Sequence, residues 1–543
     1  MVSDKILVQL NNAAFKYPAG DYLFTKVKLT LKEGEKVAIV GANGSGKSTL
    51  LKIFTCNLKL EEGEQIINCK THYVPQINLS ALQKAQPIYE YISQFYDDWW
   101  EIPAKLEEVF NLIIDLELPV QTLSGGELMK LNLAIAVRHN PKVLVLDEPT
   151  NHLDVASIAK LISFINDGEG KNYAYIIVSH DIFFLDQVVD AVWELENQQI
   201  TSYGGNYSFY REQKELHLRG LKRQYDLAKD KLEKTALLEQ KNIENQAKRA
   251  NRAKRAFLKG GVARITAHGA GRDSTGDLQH AQSTTIDRLT VEAEEKLEEF
   301  QTEDRHLAFI NMKNTEANQG RTIFEVKEGI LTIDKQVLAK NINLKVIYGD
   351  RVVIAGNNGV GKSSLIQALL AHVDPTRHNE LAKLSGEIYT GENLAWVYID
   401  QNYSLIKPEL TLLQNLLDYN KEITESKAKE QLGKFQFKLE SEMAKPGGNL
   451  SGGEMVRLIM AMITSFPIDL LIMDEPTNNL DVETVEVLIK SLTNFRGAVM
   501  VISHNIDFLH RAGINTAYII KAKKFTKMLV DPSHKDAFYQ ALV

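Results

Sequence analysis

The sequence predicts an α/β fold built twice on one chain, with a helical insert between the two copies. Two observations carry this expectation. The first is repetition: four strings recur in the same order. GANGSGKST at Gly41 to Thr49 returns as GNNGVGKSS at Gly356 to Ser364, and LSGGE at Leu123 returns at Leu450. LVLDEPTNHLD, ending at Asp154, returns as LIMDEPTNNLD, ending at Asp481, and IVSH ending at His180 returns as VISH ending at His504. Lys362 follows Lys47 by 315 residues and Ser451 follows Ser124 by 327, so the copies are of nearly equal size and the repeat is a duplicated domain. The second observation is a change of pattern between the copies. From Arg211 to Phe257 there is no proline, and Leu218, Leu221, Tyr225, Leu232, Ala236 and Ile243 recur at spacings of three, four and seven, as along a coiled-coil seam. Glycines from Gly260 to Gly276 break the pattern, and Ile286, Leu289, Ala293, Leu297 and Phe300 start a second stripe. The expected division is a first α/β domain over 1–210, an α-helical hairpin linker over 211–304 and a second α/β domain over 305–543.

Length and composition agree with this division. A chain of 543 residues has room for three to four domains of ordinary size. No run of about 18 apolar residues occurs, so no membrane-spanning helix is expected. Met1 to Lys5 carries no apolar core behind a basic start, and the two cysteines, Cys56 and Cys69, are too few for a disulfide framework. A reducing cytoplasm is therefore the expected compartment. The net charge of −7 exerts no general pull toward nucleic acid, so any such pull has to come from a local patch.

Each glycine-rich loop follows a short apolar strand, Val37 to Val40 and Val352 to Ala355, and opens a helical pattern. That context makes it a phosphate cradle. Gly41, Asn43, Gly44, Gly46 and Thr49, with Gly356, Asn358, Gly359, Gly361 and Ser364, form loops whose amides wrap phosphate without side-chain clash. Lys47 and Lys362 reach the terminal phosphates, and the Ser48 and Ser363 hydroxyls are placed for Mg²⁺. Four apolar residues lead into Asp147-Glu148 and again into Asp474-Glu475, as in strands buried on both faces. Asp147 and Asp474 are the expected Mg²⁺ carboxylates, and Glu148 and Glu475 the general bases for an attacking water.

With the LSGGE strings added, the sequence resembles the ATP-binding cassette family over both flanking domains. The resemblance implies ATP with Mg²⁺, hydrolysed at two composite head-to-tail sites by a monomer whose cassettes pair within the chain. Ser124, Gly125 and Gly126 would complete the site built on Lys362, and Ser451, Gly452 and Gly453 the one built on Lys47. By the same resemblance Gln76 and Gln401 are the Q-loop glutamines that sense Mg²⁺ and water. His180 and His504 are the switch histidines, Asp154 and Asp481 belong to the D-loops, and Tyr17 stacks on adenine. The offset of 315 carries Tyr17 onto Thr332, which cannot stack.

Two cassettes joined by a charged helical hairpin resemble the ABC-F subfamily, and Tyr203-Gly204-Gly205-Asn206-Tyr207-Ser208 matches the motif that closes the first cassette there. The resemblance implies a ribosomal partner, with rRNA and tRNA met near the exit site of the large subunit. Charge points to RNA independently. Between Glu244 and Asp273 there is no acidic residue, while Lys248, Arg249, Arg252, Lys254, Arg255, Lys259, Arg264 and Arg272 lie in that interval. Only 47 positions separate Gln76 from Leu123 and 49 separate Gln401 from Leu450, so neither cassette carries an added arm. An armless chain with a long interdomain loop resembles the branch that protects ribosomes from antibiotics. A housekeeping factor that rescues stalled ribosomes, and more remotely the ATPase subunit of a drug exporter, are the alternatives.

Overall fold

The computed structural model describes residues 5–18, 20–76, 86–151, 153–258, 291, 320–334, 336–374, 376, 382–437, 439–478 and 480–530. Beyond Lys231 only scattered side chains of the long interdomain helix are among them. The chain divides into two compact units, one made of Met1–Ser208 with Ala308–Val543 and the other of Phe209–Leu307.

The first copy opens on antiparallel strands β1 (Ile6–Lys16) and β2 (Tyr22–Lys32), then β3 (Lys36–Val40) and helix α1 (Lys47–Phe54). Strands β4 (Glu62–Ile67) and β5 (Thr71–Val74) follow, then helices α2 (Ile88–Ser93), α3 (Ile102–Phe110) and α4 (Gly125–Arg138). The sequence β6 (Val143–Asp147), α5 (Val155–Asn166), β7 (Ala174–Val178), α6 (Ile182–Val188), β8 (Ala191–Glu196) and β9 (Gln199–Gly204) completes it. Helix α7 then runs from Tyr207 to Leu258.

The second copy repeats the order: β10 (Thr322–Ile333), β11 (Gln336–Ile347), β12 (Arg351–Gly356), α8 (Lys362–Val373), β13 (Ala382–Thr390) and β14 (Trp396–Ile399). Helices α9 (Leu412–Tyr419), α10 (Glu425–Lys434), α11 (Glu440–Met443) and α12 (Gly452–Ile463) follow. The copy closes with β15 (Leu470–Asp474), α13 (Val482–Asn494), β16 (Ala498–Ile502), α14 (Ile506–Arg511), β17 (Thr516–Lys521) and β18 (Lys524–Leu529).

Strand order makes the duplication explicit. The first copy has a sheet β2-β1-β4 and a sheet β5-β6-β7-β3-β8-β9. The second has the same orders fused into nine strands, β13-β10-β11-β18-β17-β12-β16-β15-β14. The fusion is a single parallel bridge between Lys340 and Lys524. Its counterpart in the first copy is present as a backbone bond from Thr25 N–H to the Gln198 carbonyl at 3.0 Å, matching the one from Lys340 to Lys523 at 3.0 Å. Burial explains the apolar runs. All five residues of β6, β7, β15 and β16 are buried, as expected of parallel strands covered on both faces. Helix α1 fills the wedge between the two sheets. Its Leu50, Leu51, Ile53 and Phe54 share one core with Leu7, Phe24 and Leu29 of the antiparallel sheet and Val37, Val145 and Ile176 of the parallel one. That wedge sets the start of α1 at the carboxyl edge of β3, where the glycine loop ends.

Helix α7 is one unbroken span of 52 residues, begun a turn earlier than Arg211. Leu221 and Ala228 are buried, while Leu218 and Tyr225 are half-buried. The spacing of three and four is that of the expected seam. The remaining seam positions of the first stripe, the glycine loop and the second stripe lie outside the described residues.

The two copies share apolar packing. Val155 at the start of α5 and Phe183 on α6 belong to the core cluster that otherwise holds second-copy residues such as Ile506 and Val485, with Ile162 against it. Phe183→Ala is expected to cost about 3 kcal/mol of unfolding free energy, read as a lower denaturant midpoint. ATP turnover should fall with it, because the same residue helps hold the copies together.

Candidate active sites

The catalytic candidates gather at the carboxyl edge of each parallel sheet, where α/β sheets bind ligands. In the loop after β3, Gly41, Gly44 and Gly46 take positive φ of 153, 80 and 107°, and Gly356, Gly359 and Gly361 repeat this at 142, 78 and 96°. A Cβ at Gly41 would lie 2.4 Å from the Leu195 carbonyl oxygen, and one at Gly356 2.5 Å from that of Ile520. Neither position admits a side chain. The buried Lys47 donates from Nζ to the carbonyls of Gly41 and Ala42 at 2.7 and 3.0 Å. Lys362 does the same with Gly356 and Asn357 at 2.8 and 3.0 Å.

Glu148 and Glu475 stand one residue beyond their strands in the left-handed region, both at φ 49°. A glutamate there is strained by roughly 1 kcal/mol or more, and a backbone bond holds it. The Glu148 N–H donates to the Val178 carbonyl of β7, and the Glu475 N–H to that of Ile502 in β16, each at 2.8 Å. The turn aims each carboxylate at the histidine that follows the neighbouring strand. Glu148 Oε2 accepts from the His180 N–H at 3.2 Å, and Oε1 lies 3.1 Å from His180 Nε2 without hydrogen-bond alignment. His504 Nε2 lies 3.4 Å from Glu475 Oε1 and 3.2 Å from Asn358 Oδ1. Burial, then the Asp147 charge, pushes Glu148 up to about 8, and burial also raises Glu475. Burial pulls His180 down to about 4 and His504 to about 3.

The copies meet through their acidic loop residues. Asp154 caps α5 by accepting from the Ser157 N–H at 2.9 Å, and its other oxygen accepts from the Asn358 N–H of the opposite glycine loop at 3.4 Å. Asp481 caps α13 through Thr484 at 2.8 Å and takes the Asn43 N–H at 3.4 Å. This is reciprocal, head-to-tail pairing.

A cavity of about 480 Å³ follows from it. Asn358, Gly359, Gly361, Lys362, Ser363, Ser364, Gln401, Asp474, Glu475 and His504 line it from the second copy, and Ser124, Gly125 and His180 from the first. Ser124 N-caps α4 in a reciprocal capping box with Glu127, and Ser451 does the same for α12 with Glu454. Gly126 does not face the cavity: a Cβ there would lie 2.7 Å from Ser157 Oγ, and one at Gly453 2.6 Å from Thr484 Oγ1. These second signature glycines let the D-loop helix pack closely. Around Lys47 a cavity of about 430 Å³ is lined by Tyr17, Asn43, Gly44, Gly46, Ser48, Thr49, Gln76, Asp147, Glu148 and His180. Ser451, Gly452 and Gly453 are not among its lining residues; Asp481 of the second copy contacts that loop.

Tyr17 is held at the cavity wall, its ring edge-on to Phe15 at 5.2 Å and its hydroxyl 3.1 Å from Thr49 Oγ1. The counterpart reached by counting, Thr332, is displaced by one residue. The left-handed residues Asn12 and Glu328 sit opposite Gly63 and Gly386 in matched bulges of β1 and β10, so Tyr17 corresponds to Ile333. Counted between paired residues the hairpin is one residue shorter in the second copy, Phe15 facing Phe24 and Leu331 facing Ala339, which is why an offset taken at Lys47 fails here. Ile333 and Leu338 form that wall of the Lys362 cavity.

Two tyrosines outside the recurring motifs meet Asp147 and Asp474. The Tyr73 hydroxyl donates to Asp147 Oδ2 at 2.8 Å, and Tyr398 to Asp474 Oδ2 at 3.4 Å. Ser363 and Gln401 lie near the Asp474 carboxylate and favour its charged form, and its Oδ1 is buried without a hydrogen-bond partner. The available signal was repetition: Tyr73 precedes Gln76 by three, as Tyr398 precedes Gln401.

A protein-family profile described as "ABC transporter" matches residues 24–151 and again 339–478, and an extension profile with the same description matches 193–259. ATP-binding protein Uup of Haemophilus influenzae is 28% identical, covering 95% of this chain and 79% of its own. Bacillus subtilis YfmM, an uncharacterized ABC transporter ATP-binding protein, is 28% identical over 90% of this chain and 93% of its own. The chain belongs to the ATP-binding cassette ATPases, as a tandem protein of the ABC-F type. The fold also matches a solved RNase-L Inhibitor, with TM-score 0.61 and 17% identity over 98% of this chain and 93% of that one. An archaeal ribosome recycling factor in complex with a ribosomal stalk protein matches with TM-score 0.61, at 17% identity over 98% and 92%. This ABC-F protein binds and hydrolyses ATP. No helix among its described residues is long and apolar enough to cross a membrane.

Two outcomes follow for the ABC-F sites. The raised Glu148 carboxyl binds its proton more tightly folded than unfolded, so it costs no stability below about pH 4.5. That cost grows as pH rises toward about 8. In nucleotide-free protein, the melting-temperature gain of Glu148→Gln over wild type should therefore be small at pH 5 and largest above pH 8. Ser124→Arg fills the composite cavity, so it should abolish turnover at the Lys362 site while mant-ATP binding to the Lys47 site persists.

Proposed function

We propose that this ABC-F protein is a ribosome-binding ATPase whose interdomain linker enters at the tRNA exit site and protects the ribosome from antibiotics aimed at the large subunit. The observation that carries the proposal is the single 52-residue helix α7 leading into the basic run. At 1.5 Å per residue it is about 78 Å long, enough to carry a loop deep into a large RNA assembly. Lys248 through Lys259 supply cations for phosphate, which positions a protein on RNA without reading sequence. The archaeal recycling factor of the same fold was solved with a ribosomal stalk protein. We place the linker at 211–304 between cassettes 1–210 and 305–543, acting as a monomer in the cytoplasm.

At each site the loop amides and lysine hold the triphosphate, with Tyr17 on the adenine of the first. Ser48, Gln76 and Asp147, and their counterparts Ser363, Gln401 and Asp474, would hold Mg²⁺. The oxygen-only donor set and the open, buried Oδ1 of Asp474 fit such an ion. Mg²⁺ supplies charge neutralisation on the phosphates. Glu148 and Glu475 accept the proton of the attacking water, and His180 and His504 orient it. Ser124 and Gly125 close the Lys362 site, and Ser451 and Gly452 close the Lys47 site when the cassettes draw together.

One observation favours a second reading, relief of stalled ribosomes: the solved neighbour is described as a recycling factor. Drug susceptibility separates the two. The Glu148→Gln, Glu475→Gln double variant should remain ATP-loaded on ribosomes and arrest growth. Changing Arg249, Arg252, Lys254 and Arg255 to Ala should weaken ribosome co-sedimentation and lower its salt slope by about one per lost phosphate contact. Deleting 260–276 should spare binding and abolish drug protection of a sensitive bacterium. Full protection by that variant would refute the linker's role, and no protection by the wild-type chain would favour stall relief.

A further inference from the structure

We infer that the Tyr73 and Tyr398 hydroxyls are positioning groups that hold Asp147 and Asp474 in their metal-binding orientation. The inference rests on the reading of those aspartates as Mg²⁺ ligands and adds residues that the reading does not use.

The sheet explains the contact. β5 runs parallel to β6 with Tyr73 beside Val145, and β14 runs parallel to β15 with Tyr398 beside Ile472. Side chains two residues apart share a face, so Asp147 and Asp474 stand on the tyrosine's side, one step farther toward the site. A phenol is long enough to span that diagonal. Each hydroxyl meets Oδ2, at 2.8 Å in one copy and 3.4 Å in the other. In the second copy Oδ1 remains buried and without a hydrogen-bond partner. A hydrogen bond to one carboxylate oxygen fixes the rotation of the group and so the direction of the other, as outer-shell partners do for metal ligands.

The two copies differ in a useful way. Ser363 and Gln401 also lie near the Asp474 carboxylate and favour its charged form, and Gln367 lies near the Tyr398 hydroxyl. The shorter bond at Asp147 makes Tyr73 the more important of the two.

Phenylalanine removes only the hydroxyl, so the test keeps the ring and its packing. The probe is Mn²⁺ titrated into full-length protein saturated with a non-hydrolysable ATP analogue, with free Mn²⁺ read by electron paramagnetic resonance. The Tyr73→Phe, Tyr398→Phe double variant should bind Mn²⁺ roughly tenfold more weakly, with Tyr73→Phe alone causing most of the loss. Affinity for the analogue in EDTA should stay within about twofold of wild type, since the hydroxyls touch no nucleotide-binding group. Asp147→Asn and Asp474→Asn serve as the reference. If they lose Mn²⁺ while the double Phe variant keeps wild-type affinity, the positioning role is refuted. If the Asn variants keep Mn²⁺, the ligand reading itself fails. A double Phe variant that loses analogue affinity in EDTA to the same degree as Mn²⁺ affinity would also overturn the inference, because it would reveal a structural role.

Discussion

Asp154 and Asp481 each answer two demands with one carboxylate, and the arrangement of both sites hangs on that fact. One oxygen caps the helix of its own cassette, and the other accepts an amide from the glycine loop of the opposite cassette. An uncapped helix leaves amides unsatisfied, so the aspartate is anchored before any partner arrives. The anchored carboxylate then presents a charge to a loop whose amides are built for anions. Ser157 and Thr484 follow the caps and lie against Gly126 and Gly453, so each capped helix packs closely on the helix that its cassette's LSGGE string opens.

The proposed catalytic pair shows how the sheet positions chemistry. A buried parallel strand ends, the chain turns left-handed for one residue, and that residue is glutamate in both copies. Both side chains are buried there, so the carboxyl prefers its proton and the facing histidine prefers to be neutral. Charge enters such a site with the nucleotide and leaves with it.

The copies are duplicates in topology but not in the nucleotide wall. Tyr17 offers an aromatic face locked by Thr49, whereas Ile333 and Leu338 offer aliphatic surface. Aromatic stacking is worth about 1 kcal/mol beyond simple burial, so on the proposed reading of Tyr17 the Lys47 site would have the stronger hold on a base. The Lys362 cavity, in turn, is the one whose signature serine is already in its lining. Each site is ahead of the other in one respect.

Local residue order by itself determined the duplication, the phosphate loops, the strand-borne carboxylates and the presence of a long interdomain helix. Glycine at positions of positive φ, apolar runs in parallel strands and serine three before glutamate are local rules, readable without knowing what lies opposite. Tertiary structure alone decided what depends on neighbours from distant sequence. Counting residues led to Thr332, while strand register, set by bulges facing Gly63 and Gly386, led to Ile333. Tyr73 and Tyr398 look like ordinary strand residues until the parallel pairing of β5 with β6 and β14 with β15 brings them beside the aspartates. Gly126 and Gly453 read as ligand glycines but serve close helix packing. Register and packing are properties of pairs of segments, and no single segment contains them.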